Sequence, residues 1–264
     1  MTLRELALFA GAGGGILGGR LLGWRTVCAV ESDPYCCDVL AQRQNDGTLE
    51  PFPIWQGDIR DFDGRPWAGV TDVVSGGFPC TDISTSGHKA GIDGKESGLW
   101  KEMARVIREV DHPGLHVFVE NSAALAYRGL GTVLGDLASM GFAAEWGVLG
   151  NEDAGIPMRR DRLWIVATRD QGRSRGQGIS RQTERELLAR AAGPNHNIPR
   201  PSDPVSRDGT HPPRICGASN GLAYRRERIG ALGNGQCSPV AALAWQTLIE
   251  RLMSSPEETE EPSK

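Results

Sequence analysis

Gly76-Gly77-Phe78-Pro79-Cys80 places a cysteine after a rigid proline and before a polar stretch, Thr81 to Ser97, that contains three glycines. A cysteine so placed is expected to be exposed on a movable loop. Positive, partly solvated surroundings there favour the thiolate, which is the nucleophilic form. Inert burial is the general expectation for cysteine, and it suits Cys28 inside its apolar run; the position of Cys80 inverts it. Val117-Phe118-Val119-Glu120-Asn121 ends a second apolar run in a carboxylate, whose burial would raise its pKa until it can donate or share a proton. Met158-Arg159-Arg160-Asp161-Arg162 precedes a third run, so alternation turns Arg160 and Arg162 to one side. Singly these have ordinary readings, an ion pair for Glu120 and a solvated edge for the arginines. Together, a nucleophile, an acid and two cations make a set for covalent chemistry.

A glycine-rich turn follows the first apolar run. Gly13-x-Gly15-x-x-Gly18 formally matches the dinucleotide fingerprint, with Glu31 and Asp33 roughly twenty residues on to hold ribose hydroxyls. The match alone is weak, because so many glycines satisfy many patterns, and a turn kept small for helix packing stays open beside it. No Arg, Lys, Ser or Thr stands between Gly11 and Gly19 to grip a phosphate, and Phe9 offers an aromatic face. A nucleoside without phosphates suits this turn better than a pyrophosphate, and S-adenosylmethionine is such a ligand.

The elements that must position these residues can be read from the apolar runs. Leu6 to Phe9, Val27 to Glu31, Asp72 to Ser75, His116 to Glu120 and Leu163 to Ala167 read as strands, and Pro34 to Arg43 as a helix. Leu99, Met103, Val106, Ile107 and Val110 recur at the helical period, and Val240, Leu243, Ala244, Leu248 and Leu252 line a last helix from Pro239 to Met253. This alternation predicts an α/β chain, a doubly wound, mostly parallel sheet with helices on both faces. Ligands of such sheets sit outside the carboxyl ends of the strands. Gly11 to Gly15, Glu31, Asp58, Cys80 and Glu120 are all expected there.

The chain has 264 residues, 39% hydrophobic and 23% charged, which excludes a collagen, a coiled coil or a wholly disordered chain. The six cysteines form no CxxC pair, and His112 and His116 flank Pro113 and Gly114, which break the helix that would align them. No metal site or disulfide framework is expected, and a reduced cytoplasmic compartment fits. Neither a secretory signal nor a membrane span is read. From Gln171 to Ser219 the texture turns to Gly, Pro, Ser, Asn and Arg, and SSPEETEEPSK forms an acidic tail expected to be disordered. The net charge of −4 hides a division: residues 157 to 230 hold 15 arginines against 7 acids, a local +8, leaving −12 elsewhere. The acidity therefore does not exclude a polyanionic partner, and arginine is the cation suited to forked contacts with phosphate and guanine.

Several blocks in order resemble the cytosine-5 DNA methyltransferases: Leu8 to Gly14, Glu31 to Asp38, Gly57-Asp58-Ile59, Gly77 to Ser84, Ser97 to Trp100, Glu120-Asn121, Arg160-Asp161-Arg162 and Gly233-Asn234-Gly235. The resemblance implies a Rossmann-like methyltransferase fold with a small target-recognition lobe, S-adenosyl-L-methionine as cofactor and no metal. It further implies Cys80 as the nucleophile toward carbon 6 of cytosine, Glu120 as the group binding ring nitrogen 3 and the exocyclic amine, and Arg160 and Arg162 as orienting the base. Phe9, Gly11, Gly13, Glu31, Asp58, Ile59, Pro79 and Asn234 match family positions around the cofactor. The target base is inaccessible in a stacked duplex, so it must be flipped out, and a segment from about Thr81 to Ser97 is suited to closing over it.

The division expected is 1–168 for the catalytic and cofactor-binding part, 169–224 for the recognition lobe, 225–253 for a segment returning to the catalytic part, and 254–264 for the tail. Only some 50 to 60 residues separate Thr168 from Tyr224, short for a recognition region of this family. The resemblance implies double-stranded DNA as partner, no membrane, a monomer, and a restriction endonuclease acting on the same site, in the cytoplasm of a bacterial or phage-infected cell. Three alternatives stand beside it. One is a related enzyme acting on transfer RNA, which a Cys-Phe-Thr signature would favour and this chain lacks. The others are a nicotinamide-dependent dehydrogenase, which leaves Cys80, Glu120 and the arginines unexplained, and a non-catalytic DNA-binding regulator that keeps the fold.

Overall fold

A strand whose side chains are buried on both faces needs cover on both sides. β1 (Arg4–Leu8) is such a strand, buried from Glu5 to Leu8, with Leu6 and Leu8 on one face and Ala7 and a Glu5 carboxyl that accepts from Thr26 and Ser75 on the other, and it lies inside a seven-stranded sheet. The computed structural model describes residues 2–79, 99–169 and 225–254. β1 is followed by α1 (Gly14–Leu21), β2 (Arg25–Glu31), α2 (Pro34–Asn45), β3 (Ile54–Gln56) and β4 (Val73–Gly76). After these come α3 (Leu99–Val110), β5 (His116–Ser122), α4 (Leu125–Arg128), α5 (Leu130–Ser139), β6 (Ala143–Gly150) and β7 (Asp161–Thr168). α6 (Arg225–Asn234) and α7 (Ser238–Ser254) complete the described elements.

The sheet order is β3-β2-β1-β4-β5-β7-β6. Strands β1 to β5 pair in parallel, and β7 and β6 add an antiparallel edge. The doubly wound, mostly parallel α/β fold read from the sequence is thus the one formed. The chain winds from β1 outward to β3, then returns to β4 on the other side. The crevice beyond the carboxyl ends of β1 and β4 is therefore the switch point where ligands of such sheets bind.

One face is covered by α3 and α5, whose Trp100, Met103, Ile107, Val133 and Leu137 meet Leu6, Leu8, Val74, Val117 and Ile165. On the opposite face Ile16 of α1 and Leu40 of α2 pack with Ala7 and Ala29. Beside them α7 brings Val240, Trp245 and Leu248 against Phe118, Trp164 and Val166. Its burial from Val240 to Gln246 is broader than the single stripe expected from period alone, because it is wedged between α1 and the β6–β7 edge. Trp245 stands edge-on to Trp24 at 4.6 Å and to Phe118 at 5.5 Å, a favoured aromatic geometry.

Two strands have no counterpart in the expectation. β3 has three residues just after Pro51 and Pro53, too short for a period to register. β6 alternates incompletely, leaving Trp146 and Val148 partly exposed on an edge.

Candidate active site

β1 ends at Leu8, and the backbone then turns sharply, with positive φ at Phe9 (52°), Gly11 (52°) and Gly13 (86°). Positive φ is a strained setting for a bulky side chain such as Phe9. The bend is fastened to the end of β2: Ala10 N donates to Val30 O at 3.1 Å, and Gly11 N donates to Glu31 Oε2 at 2.6 Å. The other oxygen of Glu31 accepts from Ser32 N at 2.7 Å and Asp33 N at 2.8 Å, so three main-chain donors fix this carboxylate. Asp33 has a local task, capping α2 by accepting from Tyr35 N at 2.9 Å.

The glycines of the turn divide between two tasks. A Cβ on Gly11 would meet no atom within 4 Å. On Gly14 and Gly15 it would collide with the carbonyl and the side-chain amide of Gln236, and on Gly18 it would come within 2.8 Å of the Ala241 methyl of α7. The fingerprint glycines 15 and 18 thus give the last segment of the chain close access to α1, the packing role left open above. Gly11 faces the cavity.

That cavity lies at the switch point and is walled by Ala7 to Gly11, Gly15 and Ile16, Ser75 to Gly77, Glu120, and Asn234 to Gln236. Of the cofactor positions implied by resemblance, it brings together Phe9, Gly11 and Asn234. Glu31 adjoins it through Gly11, while Gly13, Asp58, Ile59 and Pro79 stand off its wall. Asp58 caps a short 3-10 turn, where bonds from the Arg60 backbone and guanidinium hold its carboxyl below the ordinary value. Ile59 is buried beneath that turn, and Arg105 of α3 donates to its carbonyl at 2.7 Å. Pro79 is half-buried at the exit from β4, where Asn121 Nδ2 donates to Phe78 O at 2.9 Å. The end of β5 therefore fixes the chain leading to Cys80. Cys80 itself, the segment to Ser97, Cys216 and residues 170–224 of the expected recognition lobe lie outside the described residues.

Glu120 occupies the inner wall and is 6% exposed. Burial pushes its carboxyl up to about 7, against the pull of Arg162 and Arg160 and of hydrogen bonds from Gln236 and Arg162. The sheet register explains the contact with Arg162. Glu120 pairs with Trp164 and Ser122 with Arg162, so Arg162 stands diagonally across from Glu120 on one face, its Nε 2.8 Å from Oε1.

Arg160 does something different. Its guanidinium donates to Leu232 O at 2.9 Å and to Gly233 O at 2.8 Å, closing the carbonyl end of α6, where a cation is favoured. The alternate arginines therefore take separate posts, Arg162 on the carboxylate and Arg160 on the segment carrying Asn234. Gln236 escaped the sequence reading altogether. Its only signal there was a polar side chain directly after Gly233-Asn234-Gly235, at the entrance to a helix. Among the described residues no group of His, Cys, Asp or Glu could hold a metal ion, and no helix is long and apolar enough to cross a membrane.

A cavity lined by Phe9, by glycines and by Asn234, next to the fixed carboxylate of Glu31, suits a nucleoside with hydroxyls to bind, and among the described residues that line it there is no Lys or Arg for a phosphate. These residues fit S-adenosylmethionine.

The model of the C-5 cytosine-specific DNA methylase family matches residues 3–203. The Type II methyltransferase M.Eco47II of Escherichia coli is 33% identical over 170 residues, covering 62% of this chain and 39% of that protein. The Type II methyltransferase M.NgoMIV of Neisseria gonorrhoeae is 29% identical over 177 residues, covering 65% and 53%. The chain thus spans about two fifths and one half of these relatives. A solved putative DNA modification methyltransferase encoded within an E. coli prophage superposes with a TM-score of 0.51 at 21% identity, covering 63% of this chain and 47% of that one. That likeness establishes the fold.

Proposed function

The chain belongs to the C-5 cytosine-specific DNA methylase family, and we propose that it transfers a methyl group from S-adenosyl-L-methionine to carbon 5 of a flipped-out cytosine in double-stranded DNA, through a covalent adduct on Cys80. The observation that carries this reading is Glu120: a carboxyl 6% exposed, held at about 7, on the wall of the switch-point cavity with Arg162 on one oxygen. A carboxyl that titrates near neutrality can hold a proton and pass it on, as acid catalysis requires.

The bound cofactor supplies an electrophilic methyl group on a sulfonium. Phe9, Gly11, Gly13, Glu31, Asp58, Ile59, Pro79 and Asn234 would hold it, with Phe9, Gly11 and Asn234 on the cavity wall. The Cys80 thiolate adds to carbon 6 of the base, while Glu120 delivers a proton at ring nitrogen 3 as charge builds there. Carbon 5 is thereby made nucleophilic. Arg162 keeps the Glu120 carboxyl oriented, and Arg160 keeps the Asn234 segment in place. Once carbon 5 has taken the methyl group and S-adenosylhomocysteine is left behind, solvent removes the carbon 5 proton, the nitrogen 3 proton returns to Glu120 and the Cys80 sulfur departs as thiolate, which restores the ring. In the same reading 1–168 is the catalytic part, 169–224 reads the DNA site, 225–253 completes the cofactor cavity and 254–264 is a tail. The protein acts as a cytoplasmic monomer alongside an endonuclease of the same specificity.

The test is a covalent trap. Duplex DNA carrying 5-fluorocytosine, incubated with the protein and cofactor, should yield an adduct, because fluorine cannot leave as a proton does, and Cys80→Ser should abolish both adduct and methyl transfer while cofactor binding survives. Full activity in Cys80→Ser, or an adduct mapped to Cys36, Cys37 or Cys216, would overturn the assignment. Label transferred only to RNA would favour the transfer RNA alternative.

A further inference from the structure

Gln236 lies in the bend between α6 and α7, and none of the roles assigned above includes it. Glycines from two separate elements make its room. On the α1 side, Cβ atoms at Gly14 and Gly15 would collide with its carbonyl and its amide oxygen. On the β4 side, a Cβ at Gly77 would lie 3.2 Å from its Nε2 and 2.6 Å from Glu120 Oε2. The amide nitrogen and the second carboxyl oxygen of Glu120 therefore share the space over Gly77, and the two side chains are hydrogen-bonded. A slot between bare glycine backbones would take an aliphatic side chain of the same length at no polar cost. An amide there needs a partner, and that partner is Glu120.

We propose that Gln236 is a positioning residue for Glu120, holding the carboxyl through its amide beside the contact that Arg162 makes. The inference rests on the reading of Glu120 as the group that handles the proton. Its chemical sense lies in the ambivalence of an amide. It donates N–H to a carboxylate and, turned over, accepts from a protonated acid through its carbonyl. A neutral partner of this kind satisfies Glu120 in both states of a proton-transfer cycle. A second guanidinium in its place would fix the carboxylate as an anion, and a methyl group would leave one oxygen bare. The charged groups acting on Glu120 are Arg162 on β7 and Arg160 just before it. Both favour the anion, and so does the amide of Gln236, while burial keeps the acid form within reach; a neutral third contact fixes the plane of the carboxyl without adding a third cation.

The experiment uses the full chain with Gln236→Met, which keeps the length and removes the hydrogen bond, and Gln236→Glu, which keeps the shape and adds a like charge. The Glu120 midpoint is read from carboxyl-carbon NMR of glutamate-labelled protein, with Glu120→Gln supplying the assignment. Turnover on duplex DNA is read across pH. In Gln236→Met the midpoint should rise by roughly one pH unit and turnover should fall on the order of tenfold to a hundredfold, with the pH profile of turnover shifted in step with the midpoint. Gln236→Glu should raise the midpoint further. An unmoved midpoint in both variants, or a moved midpoint with full turnover, overturns the proposal. If Gln236→Met does not fold, Gln236→Glu decides by the same two readings. Failure of the underlying methyltransferase reading is seen separately, as absence of methyl transfer by the unaltered protein, and in that case the NMR midpoint still decides whether Gln236 holds Glu120.

Discussion

Replacing Glu120 by Gln should make the protein more stable at slightly alkaline pH and catalytically dead. In the fold the carboxyl titrates at about 7, against an ordinary value of 4.5. Because the folded-state value is the higher one, the stability contributed by the protonated group is present in full below pH 4.5 and is lost as pH rises through about 7. At about 1.4 kcal/mol per pH unit, the anion forced on the native state at pH 8 costs about 3 kcal/mol. Gln mimics the neutral acid: it still accepts from Arg162 Nε through its carbonyl, and Gln236 can turn to accept from its amide. Urea unfolding should therefore find Glu120→Gln more stable than the parent by about 3 kcal/mol at pH 8 and by under about 1 kcal/mol at pH 5. In a thermal scan at pH 8 this corresponds to roughly 6–10 °C. An equal advantage at the two pH values, or none at pH 8, would refute the account of Glu120 as a carboxyl strained by burial. Methyl transfer should fall by roughly 100-fold or more.

Two further outcomes follow from the packing. Gly14→Ala should cost about 1–3 kcal/mol and weaken cofactor binding in calorimetry, because its methyl meets the main-chain carbonyl of Gln236; Gly131→Ala in α5, with nothing within 4 Å of the new methyl, should leave binding unchanged. Trp245→Ala should lower stability by about 3–5 kcal/mol in denaturant titration, since it empties the junction of α7 with Trp24 and Phe118.

The strands and helices legible in the sequence are those whose period is set by burial. α3 was readable because Met103, Val106, Ile107 and Val110 face one core, and β1, β4 and β5 because both their faces are covered. β3 and β6 were not: one has three residues, and the other is an edge whose Trp146 and Val148 are partly exposed. At the site, the sequence brought Glu120 and Arg162 forward together, and antiparallel register accounts for their contact. It could not separate Arg160 from Arg162, because the carbonyls that claim Arg160 lie more than seventy residues later. For the same reason it could not divide Gly11 from Gly15 and Gly18. What distinguishes them is a helix at the far end of the described chain, and no local pattern carries that information.

That long-range closure has a consequence for biosynthesis. The cofactor cavity needs Phe9 and Gly11 from the start of the chain and Asn234 to Gln236 from near its end. At about 5–20 residues per second, roughly 10–45 s of translation separate the two walls. A nascent or prematurely terminated product that stops before α6 carries the whole Gly76 to Cys80 block yet lacks one side of that cavity. The cavity then closes in a single event, when α6 and the bend after it have been made and can fold back onto α1.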